Sequence, residues 1–236
     1  MKILFPCNPL NSKEIDPDYS EELAAAKLHG FDYILYDHDV LVKTGVGFIK
    51  LEVSEKPVQV LLRGYQLKEA QYHFLYNHLK DFNYHLVNSL EKYLNCHYFP
   101  YSYGAIEEFS NKIWFTDDIS PEWIKSICNL KKDLIIKDFV KSEKGTDLFF
   151  IDKDITEEEL SQKIERFIEA RGNLFNKGIQ FKEYLKLKKY GTEINEWRLF
   201  VLNGELVSMS RNVVLDVESA RPNIPNLKDI IDRLSV

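Results

Sequence analysis

The sequence predicts an α+β protein that opens with a small α/β domain, and three observations carry that reading. A strand, a helix and a second strand follow one another before residue 37. The second half then breaks the β-α alternation, setting short apolar strands around one well-marked helix. Finally, Asn203-Gly204 lies between two strand-like runs, a strong hairpin signal because both residues tolerate the positive φ angles of a tight turn. The expected division is an N-terminal α/β domain over residues 1–110 and a second domain over 111–236.

Taken in order, Lys2 to Cys7 reads as a strand. Ser20, followed by Glu21 and Glu22, starts a helix that runs through Leu28 and stops at Gly30. Phe31 to Tyr36 reads as the next strand, and this β-α-β order predicts a parallel pair with a right-handed crossover. Val58 to Leu62 is a buried-strand run ending in Arg63-Gly64. Leu67, Ala70, Phe74, Leu75, His78, Leu79 and Phe82 then recur at helical spacing, as an amphipathic helix requires. His85 to Asn88 is a short strand candidate, with Ser89 placed to start a helix. Ser120-Pro121-Glu122 is a clear helix start, with a capping hydroxyl, a proline at the first position and an acid in the first turn. Leu134 to Lys137 is strand-like and enters a polar loop that ends at Gly145. Thr156 and Glu159 form a capping box ahead of Leu160, Ile164, Phe167 and Ile168, predicting a helix over 157–170. Ile179 to Leu187 alternates as a strand with Glu183 on its apolar face.

Composition narrows the class. With 44% apolar and 13% aromatic residues, the 236-residue chain can bury a core, which excludes disorder. No run long enough to span a bilayer occurs, and the apolar start is broken at Pro6, too early for a signal peptide, so a cytoplasmic protein is expected. Lys and Arg number 31 against 37 Asp and Glu, a net charge of −6 that argues against nonspecific binding to long nucleic acid. Cys7, Cys96 and Cys128 lack the close spacing of a zinc site or disulfide framework and read as reduced structural thiols.

Three segments could carry chemistry. If Asn203-Gly204 form a regular two-residue turn, Leu202 faces Glu205, Phe200 faces Val207, Arg198 faces Met209 and Glu196 faces Arg211, all on one side. That would set a charged cluster beside an apolar floor, as a nucleotide needs; a cross-strand salt bridge on a solvated face is the plainer reading. Glu183 either meets a lysine at a sheet edge, or the strand stops near Phe181 and Glu183-Tyr184-Leu185 is a connector whose backbone can pair with a base edge. Lys137, Lys141 and Lys144-Gly145 could hold phosphate oxygens, or form only a solvated basic loop. No Walker sequence and no Rossmann glycine pattern is present.

This order of elements resembles the ATP-grasp superfamily over about residues 58–212. It is most similar to the bacterial and phage clade named for one arginine and two lysines. The resemblance rests on the strand Leu134 to Lys137, the Lys144-Gly145 loop, Phe181 to Leu185, and the E-W-R-x-F-x-x-x-G hairpin from Glu196 to Gly204. It implies two α+β subdomains enclosing a nucleotide cleft, with ATP and Mg²⁺ as cofactors. Lys137 and Lys144 are then similar to the lysines that grip the phosphates, and Glu183, Tyr184 and Leu185 to the linker that recognises adenine. Glu193 is a candidate for the ribose, Met209 for the floor beneath the adenine, and Arg198 for the phosphate-binding arginine. Arg63 and Arg211 are candidates for the acceptor or the γ-phosphate, and Glu196 for one metal ligand. The implied reaction is ATP-dependent ligation of a carboxylate to an amine, on small molecules or on a peptide or protein, through an acyl phosphate. Phosphoryl transfer of this kind asks the protein mainly for charge neutralisation.

The sequence departs from the family in lacking an evident Glu-x-Asn metal element after the hairpin, where Asp216, Glu218, Asp229 and Asp232 are the acids present. A shortened C-terminal part and slow ATP turnover are therefore expected. The rival reading is a phage or host interaction module that keeps the fold without efficient ligation. An RNA-binding role would require aromatic platforms on a basic surface.

Overall fold

The computed structural model describes residues 1–142, 148–187, 189–190, 193–194 and 196–211. Lys144 lies outside these residues. The chain forms two compact units, Met1–His97 and Tyr98–Val236.

The first unit comprises β1 (Lys2–Asn8), β2 (Asn11–Ile15), α1 (Ser20–Leu28), β3 (Asp32–Tyr36), α2 (His38–Lys43), β4 (Val58–Leu62), α3 (Glu69–Asp81), β5 (Tyr84–Leu86) and α4 (Leu90–His97). β1 is the central strand, parallel to β3 on one side and to β4 on the other, with β5 parallel to β4. The expected parallel β1–β3 pair is present from Lys2↔Asp32 to Pro6↔Tyr36. β2, which the sequence does not announce, folds back antiparallel against Cys7 and Asn8. Residues Ile3 to Cys7 are all buried, the continuous apolar pattern of a parallel strand covered on both faces. Leu4 packs with Val60 and with Leu75 and Leu79 of α3, while Ile3 and Phe5 pack with Leu23 and Ala26 of α1. α1 starts at Ser20 as expected, and a single 3-10 turn, Pro17–Tyr19, capped by Asp16 Oδ1 accepting from Asp18 N at 3.0 Å, leads into it.

The second unit comprises α5 (Phe99–Ile106), β6 (Ile113–Thr116), α6 (Pro121–Cys128), β7 (Leu134–Asp138), β8 (Phe150–Ile151), α7 (Glu157–Arg171), β9 (Ile179–Glu183), β10 (Lys189–Tyr190), β11 (Glu193–Ile194), β12 (Trp197–Leu202) and β13 (Glu205–Arg211). Four strands make an antiparallel sheet in the order β6-β9-β7-β8. Helices α6 and α7 cover one face, where Ile124, Ile127, Leu160, Ile164 and Phe167 meet Leu134, Ile136, Ile151, Ile179 and Phe181. Both helices start as the sequence predicts. Ser120 Oγ accepts from Trp123 N at 3.2 Å, and Thr156 N donates to Glu159 Oε2 at 2.9 Å while Thr156 Oγ1 accepts from Glu159 N at 3.3 Å. β10 pairs with β11, and β12 with β13.

The hairpin corrects one expectation. Asn203 and Gly204 take φ of 51° and 79°, the doubly positive turn that was predicted, and Val201↔Leu206 and Leu202↔Glu205 keep the expected register. Beyond them the pairing slips: Phe200 meets Ser208, Leu199 meets Met209, Arg198 meets Ser210 and Trp197 meets Arg211. Val207 is the extra residue of a β-bulge. Arg198 and Met209 therefore fall on opposite faces, and Arg211 pairs with Trp197 rather than Glu196. This register does not give the expected one-sided arrangement of a charged cluster, Glu196, Arg198 and Arg211, beside an apolar floor of Phe200, Val207 and Met209. All three cysteines are free, Cys7 and Cys128 buried and Cys96 exposed. Among the described residues no helix is long and apolar enough to cross a membrane.

Candidate functional site

The four-stranded sheet has a second face, turned away from α6 and α7, and alternation along β7 decides what it carries. Leu134, Ile136 and Asp138 are buried, so Ile135 and Lys137 point the other way. Register extends that face across the sheet in two rows, Phe115–Gln180–Lys137 and Ile113–Lys182–Ile135. Lys182 thus lies diagonal to Lys137, within reach of long side chains. Along β9, Lys182 alternates with Phe181 and Glu183, and the β7–β9 register then puts it on the same face as Lys137.

Directly after Lys137, a buried carboxylate fixes the exit of β7. Asp138 is fully buried, and its Oδ1 accepts from Val140 N and Lys141 N at 2.7 Å each. Its Oδ2 accepts from Arg171 Nε at 3.0 Å and from Asn176 N at 3.2 Å. The start of the predicted phosphate loop is therefore tied by its backbone to the end of α7. Gln180 lies opposite Lys137 and is 1% exposed. Its Nε2 donates to Asp138 O at 2.8 Å.

The predicted adenine linker is mostly occupied by its own unit. Glu183 is ion-paired with Lys132, the plainer of the two readings that its sequence position allowed. Its N–H donates to Lys112 O at 2.9 Å, and its carbonyl accepts from Asn111 Nδ2 at 2.8 Å. Tyr184 N–H donates to Asp133 O at 2.9 Å, and its ring packs edge-on to Phe150 with centroids 5.3 Å apart. Leu185 follows, exposed, and among the described residues its N–H makes no hydrogen bond.

The fold of this chain has counterparts among solved structures. The RimK-domain ATP-grasp protein of Sphaerobacter thermophilus DSM 20745 is similar over 99% of this chain and 80% of its own, at 12% identity and a TM-score of 0.57. D-alanyl-alanine synthetase A of Vibrio cholerae O1 biovar eltor is similar over 99% and 80%, at 10% identity and a TM-score of 0.54. The chain has the ATP-grasp fold. A third similar structure is the ATP-grasp ligase PsnB with a phosphomimetic variant of its minimal precursor, Mg and ADP, at 14% identity over 100% of this chain and 79% of that one, with a TM-score of 0.51. No protein-family profile matches the sequence, and no curated protein does.

The remaining candidates fall on separate elements of the chain. Arg63, in the first unit, is held in a two-pronged ion pair by Glu22, with its guanidinium carbon 5.8 Å from the Tyr19 ring centroid. The Glu22 hydrogen bonds raise its pKa further. Glu196 and Arg198 stand at the open end of the hairpin, both exposed. Met209 is half-buried on the opposite face from Arg198. Glu193 belongs to β11 and Arg211 to β13, and their side chains lie outside the described residues. A magnesium site needs several hard oxygen donors converging on one point. Among the described residues no group of three or more His, Cys, Asp or Glu could hold a metal ion; Asp216, Glu218, Asp229 and Asp232 lie outside the described residues.

Proposed function

We propose that this chain binds ATP on the open face of its four-stranded sheet and serves as an ATP-dependent carboxylate–amine ligase. The observation that supports this best is Lys137. It projects from the sheet of an ATP-grasp fold beside a second lysine, and a buried carboxylate immediately behind it fixes the backbone that follows. Lys137 holds phosphate oxygens, and Lys144 and Arg198 add charge around them. The exposed linker from Tyr184 to Leu185 receives the adenine edge, with Leu185 N–H as the available donor.

In the proposed reaction a substrate carboxylate oxygen attacks the γ-phosphorus, and the bond from that phosphorus to the β-bridging oxygen breaks. ADP leaves and an acyl phosphate forms. An amine then attacks the acyl carbon, phosphate departs and the amine loses a proton. The protein's part is to offset charge that spreads over the transferred group, which fixed cations do without forming a covalent bond to it. The D-alanyl-alanine synthetase and the precursor-bound PsnB among the similar structures support amino-acid or peptide substrates for this chain as well.

The test is thermal melting and calorimetry with MgATP. A ligand that binds only the folded state adds about 2.7 kcal/mol at a hundredfold excess over its Kd. The melting temperature should rise with MgATP, and Lys137→Ala should abolish the rise while leaving the ligand-free melting temperature close to wild type. Release of ADP is then screened with carboxylates and amines. Absence of both heat and a melting shift in the wild type would favour the interaction-module reading.

A further inference from the structure

Lys182 is a half-buried cation flanked in the register by Ile113 and Ile135, with Lys137 diagonal to it. Its ammonium lies 4.7 Å from the centroid of the Phe99 ring, at the start of α5. No carboxylate pairs with it among the described residues. Lys137 stands diagonally across the β7–β9 ladder, and Gln180 lies between the two lysines in the register. Gln180 adds an independent pointer to a ligand. Because its Nε2 is committed to Asp138 O, the orientation of the amide is set. Its Oε1 is then buried, and among the described residues no group donates to it. A buried carbonyl oxygen of this kind costs free energy until something donates to it.

Two lysines diagonal on one sheet face in a partly desolvated setting repel each other, and a multiply charged anion between them offsets that repulsion. Burial, and then the charge of Lys137, lower the pKa of Lys182 from the ordinary lysine value. An anion with several oxygens can contact both ammonium groups at once. Hydroxyls or bound water carried by that anion can satisfy Gln180.

We propose that Lys182 and Lys137 form a two-lysine clamp for a polyphosphate, with Gln180 Oε1 accepting a hydrogen bond from the bound ligand or its water. The identity of that polyphosphate as ATP rests on the reading above. Lys182 is then a second phosphate-binding cation of the sheet, contributed by β9, beyond the Lys137 of β7, the Lys144 of the loop and the Arg198 of the hairpin that the family resemblance assigns.

The experiment measures melting temperature and calorimetric affinity of the full chain with inorganic tripolyphosphate, MgATP and adenosine, for wild type, Lys182→Met and Lys182→Gln. In the wild type both phosphate ligands should raise the melting temperature. Either substitution should weaken MgATP at least tenfold and remove most of the tripolyphosphate shift, while adenosine, which has no phosphate, binds unchanged. The ligand-free melting temperature of Lys182→Met should rise, because a repelled, half-buried charge is gone. Unchanged affinity for both phosphate ligands in the two variants overturns the clamp and leaves the nucleotide reading standing. A wild type stabilised by tripolyphosphate but not by MgATP, with the shift lost on substitution, keeps the clamp and overturns the nucleotide reading. If neither ligand shifts the wild type, both fall. A lower ligand-free melting temperature with unaltered affinity marks Lys182 as a packing residue and also overturns the proposal.

Discussion

Arg171, the last residue of α7, donates Nε to Asp138 Oδ2 at 3.0 Å with the two side chains 8% and 0% exposed. The pair joins a helix end to a strand end, and the strand residue just before it is Lys137. A buried ion pair gains little over an apolar replacement of both partners, yet removing one partner strands the other charge in a dry site. Asp138→Ala also deprives Val140, Lys141 and Asn176 of their backbone acceptor. It should lower stability by about 3–5 kcal/mol, read as a shift in the urea midpoint. The double substitution Asp138→Leu with Arg171→Leu should be less destabilising than the sum of its singles, because no unpaired charge remains.

Gly178 opens β9 where there is no room for a side chain. A Cβ there would press on the carbonyl oxygen of Thr116 and come within 2.7 Å of Phe139 Cε1. The first of these is backbone of a neighbouring strand and cannot rotate aside. Gly178→Ala should therefore cost about 1–3 kcal/mol. Trimming the ring with Phe139→Leu in the same chain should not restore stability, since the carbonyl is untouched. Chemical denaturation of the three variants gives the comparison.

Gly64 offers the contrasting case. The atom its Cβ would strike is the hydroxyl of the buried Tyr36 ring, with the ring carbon Cζ behind it at 3.4 Å. Among the described residues no group hydrogen-bonds that hydroxyl, although Tyr36 is 1% exposed. Tyr36→Phe should thus be neutral or stabilising by up to about 1 kcal/mol. Gly64→Ala, destabilising alone, should be largely rescued in the Tyr36→Phe background. A double-mutant cycle of melting temperatures measures the coupling, and additivity of the two changes would contradict the contact.

What the sequence reveals and what it conceals divide along physical lines here. Caps and continuous apolar strands are local, so β1, β3, β4, α6 and α7 can be read from neighbours in the chain. The hairpin turn is equally local, fixed by two residues that accept positive φ. Its register is not, because one extra residue, Val207, reverses which side every later residue of β13 shares with β12. A signal was present: only with a bulge do Trp197, Leu199 and Val201 share a face with Met209 and Leu206. Asp138 reads from sequence as the first polar residue of a loop. Its burial depends on Arg171, far along the chain, and no local pattern announces that partner. The helix α5, rich in aromatics but containing Pro100 and Gly104, has the composition of a turn, so the ring that meets Lys182 is found only in three dimensions.

The depressed pKa of Lys182 also sets the pH dependence of stability and binding. In the folded chain Lys182 gives up its proton below the ordinary lysine value of 10.5, because of burial first and the charge of Lys137 second. The unfolded chain then holds more protons over the alkaline range between the two pKa values, so stability contributed by this residue rises with pH through that range. Below its folded pKa the residue is charged in both states, and the penalty for burying that charge is present in full. The stability difference between Lys182→Met and wild type, in favour of the variant at pH 7, should accordingly shrink as pH climbs toward 10. Tyrosines and cysteines that titrate in the same range are common to both proteins and cancel in the difference. Phosphate binding runs the other way, since it requires the ammonium form. Affinity for tripolyphosphate should fall in the wild type over the same alkaline range and stay flat in Lys182→Met. Urea midpoints and calorimetric affinities at three or four pH values test both slopes, and a difference that does not change with pH would place the proton of Lys182 at its ordinary affinity.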